Sequence, residues 1–226
     1  MPYLLLIPVL VTAILDWISV AKNWRKAEYV LKPLTMVALL AWLWIVAGFS
    51  GALIWFALGL LFSLAGDIFL MLPREQFIPG LIAFLLAHLA YLVGLNQSAP
   101  PISLPSLILA LFVALTSLQI YRRISQGLKK SGHGNLAVPV LVYTVVISLM
   151  LLSALLTLVR PEWNPMPALL VSAGALLFYI SDTLLAWNKF VAPLKTGHLV
   201  VMVTYHLGQI LIVLGATMQL GPISSI

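Results

Sequence analysis

Eight apolar stretches dominate this chain of 226 residues. A helix needs about 20 consecutive apolar residues to cross the hydrocarbon core of a bilayer, and each stretch approaches that length. They cover residues 3–20, 30–48, 51–72, 78–95, 104–121, 136–159, 166–188 and 197–219. Charged residues form only 8% of the chain, whereas soluble domains carry about 25%. We therefore predict an all-α integral membrane protein, a bundle of eight transmembrane helices that forms a single domain over residues 1–226.

The basic residues orient the predicted helices, because cytoplasmic loops carry an excess of Lys and Arg. Of the 12 Lys and Arg residues, only Arg160 falls on one side of the membrane. The others fall on the opposite side and are Lys22, Arg25, Lys26, Lys32, Arg74, Arg122, Arg123, Lys129, Lys130, Lys189 and Lys195. We expect this second side to face the cytoplasm, in a bacterial inner membrane, with both termini on the non-cytoplasmic side. The net charge of +6 then reflects topology and contact with anionic membrane lipids, and no nucleic acid partner is predicted.

Several catalytic chemistries are absent from the sequence. The chain contains no cysteine, which excludes disulfides, thiolate catalysis and zinc bound by cysteine. It also lacks a G-x-S-x-G nucleophile elbow, an H-E-x-x-H motif and a P-loop. Two histidines and two aspartates of the apolar spans are of a type that binds zinc, but no short ligand spacing supports such a site. We predict no metal site.

Two carboxylates lie well inside predicted spans, Asp67 in the third and Asp182 in the seventh, whereas Asp16 of the first span lies nearer the cytoplasmic surface. A charge near the bilayer centre costs at least about 2.5–3.5 kcal/mol, and such residues are functional by default. Two carboxyl groups in one low-dielectric pocket do not both ionise readily, so we expect one to keep its proton near neutral pH. The pair would supply a general acid beside a carboxylate that acts as a base or stabilises a cation. The alternative is that each Asp binds a lysine, a tyrosine or backbone and only holds helices together.

Two polar pairs in the spans are candidate substrate-binding residues. His88 and Tyr91 share one helix face at i, i+3 spacing, as do His206 and Gln209. A histidine inside a membrane protein is also often only an interhelical hydrogen-bonding group. Both interpretations remain open for each histidine.

Two further candidates for substrate binding are Lys32 and Tyr143. Lys32, near the cytoplasmic surface, would receive a lipid phosphate, or would simply extend its ammonium group to the interface. The alternative role of Tyr143 is to pack within the bundle or to lie at the membrane interface.

The third and fourth spans resemble the seventh and eighth. Ungapped alignments pair Asp67 with Asp182 and His88 with His206. A parallel duplication of a four-helix unit, with halves 1–100 and 101–226, would explain these pairings, although chance matches are easy in apolar sequence. Its consequence would be that two Asp and two His side chains from equivalent helices converge on one cavity.

Several short motifs occur in a characteristic order on these spans. They are KPLTM (32–36), LAGDIFLMLPREQF (64–77), G-x-x-x-F-x-x-x-H-x-x-Y (80–91), LLFYISDTLLA (176–186) and YHLGQILIV (205–213). From about Lys32 to its end, the chain resembles the YhhN-like lysoplasmalogenase family. The resemblance implies an enzyme that hydrolyses the vinyl ether bond of lysoplasmalogens to a fatty aldehyde and glycerophosphocholine or glycerophosphoethanolamine. The substrate would be lysoplasmenyl-ethanolamine or lysoplasmenyl-choline, with membrane lipids around the protein.

The resemblance also implies that Asp67 and Asp182 are the catalytic pair. A vinyl ether is cleaved by protonation of its outer alkene carbon, which leaves an oxocarbenium ion that water attacks. Glycosidases use two carboxylates for a related oxocarbenium problem. One Asp would be the acid and the other the base and electrostatic stabiliser, in an order that the sequence leaves open. No metal or organic cofactor is required.

Two other functions compete with this hypothesis. Repeated bundles with intramembrane Asp and His residues also describe proton-coupled transporters, although the acids here lie toward one face. A metal-dependent lipid hydrolase of the ceramidase-like kind is the second alternative. Chelation should abolish the activity of that enzyme and leave a carboxylate mechanism unaffected.

Overall fold

The fold is an all-α bundle, described here from a computed structural model over residues 2–72 and 76–221. The eight helices are α1 (Ile7–Ala21), α2 (Arg25–Ala47), α3 (Leu53–Met71), α4 (Phe77–Leu95), α5 (Leu104–Lys130), α6 (Ala137–Leu156), α7 (Pro165–Phe190) and α8 (Gly197–Leu220). Short 3₁₀ segments at Pro2–Leu6, Gly134–Leu136 and Thr157–Val159 extend α1 and α6. All eight segments are long and apolar enough to cross a membrane. The predicted fold class and multi-pass membrane architecture are confirmed.

The helix boundaries differ most from the predicted spans at α5. The apolar stretch ends at residue 121, but α5 continues to Lys130. The additional turns bury Ile124 and Leu128 against Val140 and Phe190, so packing against α6 and α7 keeps a polar sequence helical beyond the apolar region. Arg74, which was used in the topology prediction, lies outside the described residues.

Helices α3 and α4 pack closely on each other, and α7 packs even more extensively on α8. Glycines bring α7 and α8 into backbone contact. A Cβ atom on Gly174 would lie 2.7 Å from the carbonyl oxygen of Gly208, and one on Gly208 would lie 2.9 Å from the backbone nitrogen of Phe178. Small residues allow such close approach between membrane helices. This packing fixes the position of α7, which carries Asp182, against α8. The duplication over 1–100 and 101–226 stays a prediction.

The bundle end where α4 and α6 finish is held together by a buried arginine. Arg160 Nη1 donates to the carbonyl oxygen of Leu95 at 2.7 Å, and its Nη2 donates to Asn96 Oδ1 at 2.8 Å. Asn96 also donates to Ser153 Oγ at 2.8 Å. A cation at the C-terminus of α4 is favourable for the helix dipole. The polar groups at this end therefore have a structural explanation.

Candidate functional site

A polar cavity of about 390 Å³ opens at the opposite end of the bundle, where α2, α4 and α8 begin and α3 and α7 end. This is the predicted cytoplasmic end. Its charged and titratable lining residues are Arg25, Glu28, Tyr29, Lys32, Asp67, Asp182, Lys189, His198 and Tyr205. Asp67 and Asp182 thus line one cavity, which is the arrangement that a two-carboxylate mechanism requires.

Asp67 is fully buried and is paired with a cation. Lys32 Nζ lies 3.0 Å from Asp67 Oδ1, and the Tyr205 hydroxyl donates to Oδ2 at 2.7 Å. Lys32 itself is 5% exposed. Gly66 precedes the carboxylate and leaves space for the ring of Phe84, since a Cβ atom there would lie 2.6 Å from that ring. A buried ion pair is tolerated only with good geometry and additional hydrogen bonds, and the tyrosine supplies one of these.

Asp182 has a different set of partners. Its Oδ2 accepts a hydrogen bond from the Tyr143 hydroxyl and lies 3.1 Å from His88 Nε2. His88 Nε2 also lies 3.0 Å from the Tyr143 oxygen, so three side chains from α4, α6 and α7 meet at one point. The ring of Phe178, one turn before Asp182, packs against the His88 imidazole with 4.6 Å between the ring centroids. This contact helps to fix the position of His88. The side chain of Asp182 is 10% exposed.

A smaller apolar chamber adjoins the polar cavity. It has a volume of about 60 Å³ and is enclosed by side chains of α3 to α7. Its lining includes Ile120, Ile124, Val140 and Ile147, together with Tyr143. The residues common to both spaces are Leu70, Phe77, Phe84, Asp182 and Leu185. Within the described part of the chain, Asp182 is the one carboxylate that lines both.

The remaining candidate residues lie away from the two spaces. The Tyr91 hydroxyl donates to Gln209 Oε1 at 2.5 Å, and Gln209 Nε2 donates to Ser63 Oγ at 2.8 Å. All three side chains are buried, and none is among the residues that line the cavity or the chamber. This chain of hydrogen bonds links α3, α4 and α8, so it supports the bundle beneath the site.

His206 belongs to a separate buried cluster. Trp17 Nε1 donates to His206 Nδ1 at 3.1 Å, and Asp16 Oδ2 lies 3.9 Å from the same nitrogen. Asp16 is fully buried, and its carboxylate oxygens accept no hydrogen bond from the residues that the structure describes. Asp67 and Asp182 therefore line one cavity, whereas Asp16, His88 and His206 do not line it. His88 reaches the site through its contacts with Asp182 and Tyr143.

Six charged or titratable cavity residues were not predicted as site residues from the sequence: Arg25, Glu28, Tyr29, Lys189, His198 and Tyr205. Glu28 lies one helical turn before Lys32 on α2, and this i, i+4 spacing puts both on one face. This spacing was the sequence signal that could have placed Glu28 beside Lys32 at the site. Tyr205 was not predicted, because a tyrosine in an apolar helix carries no distinguishing pattern.

No group of three or more His, Asp or Glu side chains within residues 2–72 and 76–221 is arranged to hold a metal ion. The geometry instead provides two carboxylates, an ammonium group, an imidazole and two phenolic hydroxyls at the border between a polar and an apolar space. Such a set can transfer protons and stabilise a positive charge.

The fold and site define a multi-pass integral membrane protein with a pair of intramembrane carboxylates at one end of a helical bundle. Residues 27–216 match the YhhN family, and the chain belongs to that family. The resemblance noted in the sequence is therefore confirmed.

Curated relatives carry the name lysoplasmalogenase. The chain is 32% identical to lysoplasmalogenase TMEM86B of Homo sapiens, over 82% of this chain and 73% of the relative. It is 33% identical to the Mus musculus protein of the same name, over 88% of this chain and 79% of the relative. The lysoplasmalogenase of Mycobacterium bovis is 30% identical over 71% of this chain and 59% of its own length. No solved structure matches the chain.

Proposed function

We propose that this protein hydrolyses the vinyl ether bond of lysoplasmalogens, releasing a fatty aldehyde and glycerophosphocholine or glycerophosphoethanolamine. The names of its relatives support the reaction class. The observation that carries the proposal is the position of Asp182 at the border between the polar cavity and the apolar chamber. A lysoplasmalogen has its reactive bond at the equivalent border, between a polar headgroup and an apolar chain.

This match suggests how the substrate binds. The glycerophospho-headgroup would occupy the polar cavity, and the first carbons of the alkenyl chain would enter the apolar chamber. A chamber of about 60 Å³ has room for only a few water-sized groups, so the rest of the chain would continue between helices toward the lipid. The vinyl ether would then lie beside Asp182.

Asp182 is the proposed proton donor. Its protonated carboxyl would transfer H⁺ to the outer alkene carbon, which breaks the C=C π bond and leaves an oxocarbenium ion at the carbon bonded to oxygen. The resulting carboxylate would be stabilised by the hydroxyl of Tyr143 and by His88, both already in contact with Oδ2. Donors that are in place before charge develops give the most effective stabilisation.

Asp67 is the proposed stabilising anion. Its ion pair with Lys32 favours the carboxylate form, which would lower the energy of the oxocarbenium ion and accept a proton from the attacking water. The hemiacetal formed by water would then collapse. Asp67 would give the proton from water to the departing glycerol oxygen as the C–O bond to glycerol breaks, and the Asp182 carboxylate would take the proton of the hemiacetal hydroxyl as the aldehyde C=O forms. One water is consumed, and both carboxyl groups return to their starting states. No metal takes part in these steps.

The cavity opens at the predicted cytoplasmic end of the bundle. A single-chain lipid would enter from the inner leaflet with its headgroup near the basic residues of that end. This orientation remains a proposal and follows from the distribution of Lys and Arg.

The direct test is incubation of the purified protein with lysoplasmenyl-ethanolamine and with its saturated ether analogue. We expect aldehyde from the first lipid and none from the second, because only the vinyl ether forms an oxocarbenium ion by protonation. Addition of a chelator should leave the rate unchanged. Absence of aldehyde from both lipids would contradict the proposal, and loss of activity with the chelator would favour a metal-dependent hydrolase.

A further inference from the structure

The mouth of the polar cavity contains a carboxylate in an otherwise basic surrounding. Glu28 lines the cavity together with Arg25, Lys32 and Lys189. Its side chain is 14% exposed, and His198 Nε2 lies 2.7 Å from its Oε1. A site that bound only a lipid phosphate would be weakened by this negative charge, since like charges in one cleft repel. A carboxylate at this position therefore indicates that the ligand carries a positive charge as well as a phosphate.

The charges along α2 alternate toward the cavity interior. Arg25, Glu28 and Lys32 are three and four residues apart, so they lie along one helix face, separated by roughly 4.5 and 6 Å of helix rise. Lys32 is engaged by Asp67 at the inner end. Arg25 and Glu28 remain nearer the mouth, where they present one positive and one negative charge to a ligand.

This pair of charges is complementary to a zwitterion. We infer that Glu28 and Arg25 form the headgroup subsite of this protein, in which Glu28 binds the ammonium group and Arg25 the phosphate of a zwitterionic lysophospholipid. The inference depends on the proposed function, because it assigns the headgroup end of the same substrate. An arginine binds phosphate through several N–H donors, and an ammonium group forms charge-assisted hydrogen bonds to a carboxylate.

His198 orients Glu28 for this role. It is 57% exposed and lies at the first turn of α8. Its Nε2 contacts Oε1 of Glu28, which restricts the position of that carboxylate at the cavity that both residues line. His198 is thus a positioning residue, and the carboxylate itself would contact the ligand.

The test compares substrates with and without the amine. We would measure kcat and KM for alkenyl lysophosphoethanolamine and for alkenyl lysophosphatidate, which has the phosphate alone. For Glu28→Gln we expect KM for the ethanolamine lipid to rise at least ~10-fold, the loss expected for a charge-assisted hydrogen bond, with kcat little changed. KM for the lysophosphatidate should stay equal or fall. Glu28→Lys should reverse the preference between the two lipids.

Glu162 offers a matched control. It is a glutamate at the opposite end of the bundle and accepts a hydrogen bond from Ser98 at 2.6 Å. Glu162→Gln should leave the ratio of the two KM values unchanged. If Glu28→Gln alters both KM values by the same factor, or lowers only the thermal stability, Glu28 is a structural partner of His198 and the inference is overturned.

A binding measurement separates this inference from the proposed reaction. Saturated 1-alkyl lysophosphoethanolamine and 1-alkyl lysophosphatidate cannot be hydrolysed by vinyl ether chemistry, and their affinities can be compared by native mass spectrometry. A preference for the ethanolamine lipid that disappears in Glu28→Gln supports the subsite even if no lipid is hydrolysed. Hydrolysis of the vinyl ether with an unchanged headgroup preference in that variant supports the reaction and rejects the subsite.

Discussion

The two carboxylates of the site line the same cavity but have different partners. Each accepts a hydrogen bond from a tyrosine, Asp67 from Tyr205 and Asp182 from Tyr143. The second partner differs, because an ammonium group binds Asp67 whereas an imidazole contacts Asp182. A lysine favours the charged form of a carboxylate, and a histidine exchanges protons near neutral pH. The difference teaches that one residue type, placed twice, can serve once as a stabilising anion and base and once as a proton donor.

The surroundings of the two groups agree with this division. Asp67 is 0% exposed and lines only the polar cavity, whereas Asp182 is 10% exposed and also lines the apolar chamber. An alkene carbon belongs to the apolar part of a lysoplasmalogen, so the group that protonates it should reach the apolar space. Asp182 meets that condition.

The largest expected effect is that of Asp182→Asn. An amide cannot deliver the proton, so we expect aldehyde release to fall by at least ~10². The amide oxygen can still accept the hydrogen bond from Tyr143, so the melting temperature in detergent should change little. The measurement is kcat with lysoplasmenyl-ethanolamine. If this variant kept wild-type turnover, Asp182 would not be the proton donor, and the proposed difference in role between the two carboxylates would be wrong.

Asp67→Asn should affect both activity and stability. Turnover should again fall by at least ~10², but the substitution also leaves Lys32 buried without its anion, which costs about 3–5 kcal/mol. The melting temperature should therefore drop, in contrast to Asp182→Asn.

A second substitution separates the two effects. Adding Lys32→Met to Asp67→Asn removes the unpaired cation, so we expect most of the lost stability to return while turnover stays low. If turnover returns together with stability, the Lys32–Asp67 pair has only a structural role and the comparison between the carboxylates fails.

The sequence predicted the spans and the carboxylates because both have strong energetic signatures. A run of apolar residues is readable from hydropathy, and a charge such as Asp67 within it stands out because of its transfer cost. The partners of that charge depend on how the helices rotate and pack against each other. The sequence analysis named a lysine or a tyrosine as alternative partners of each Asp, but it did not identify Lys32 and Tyr205 as the partners of Asp67. Nothing in the local sequence distinguishes His88, which reaches Asp182, from His206, which contacts Trp17 and lies near Asp16.

The smallest effects should come from the two tyrosines, which form a matched pair. Removal of one hydrogen-bond donor costs about 1 kcal/mol, or roughly a fivefold change in rate. Tyr143→Phe should lower kcat by about this factor, because the hydroxyl would stabilise the carboxylate that forms when Asp182 loses its proton. Tyr205→Phe should lower kcat less, since Lys32 still stabilises the Asp67 carboxylate when this donor is removed. Parallel measurements of kcat in both variants test this order, and a larger loss in Tyr205→Phe would mean that Asp67, rather than Asp182, is the first proton donor.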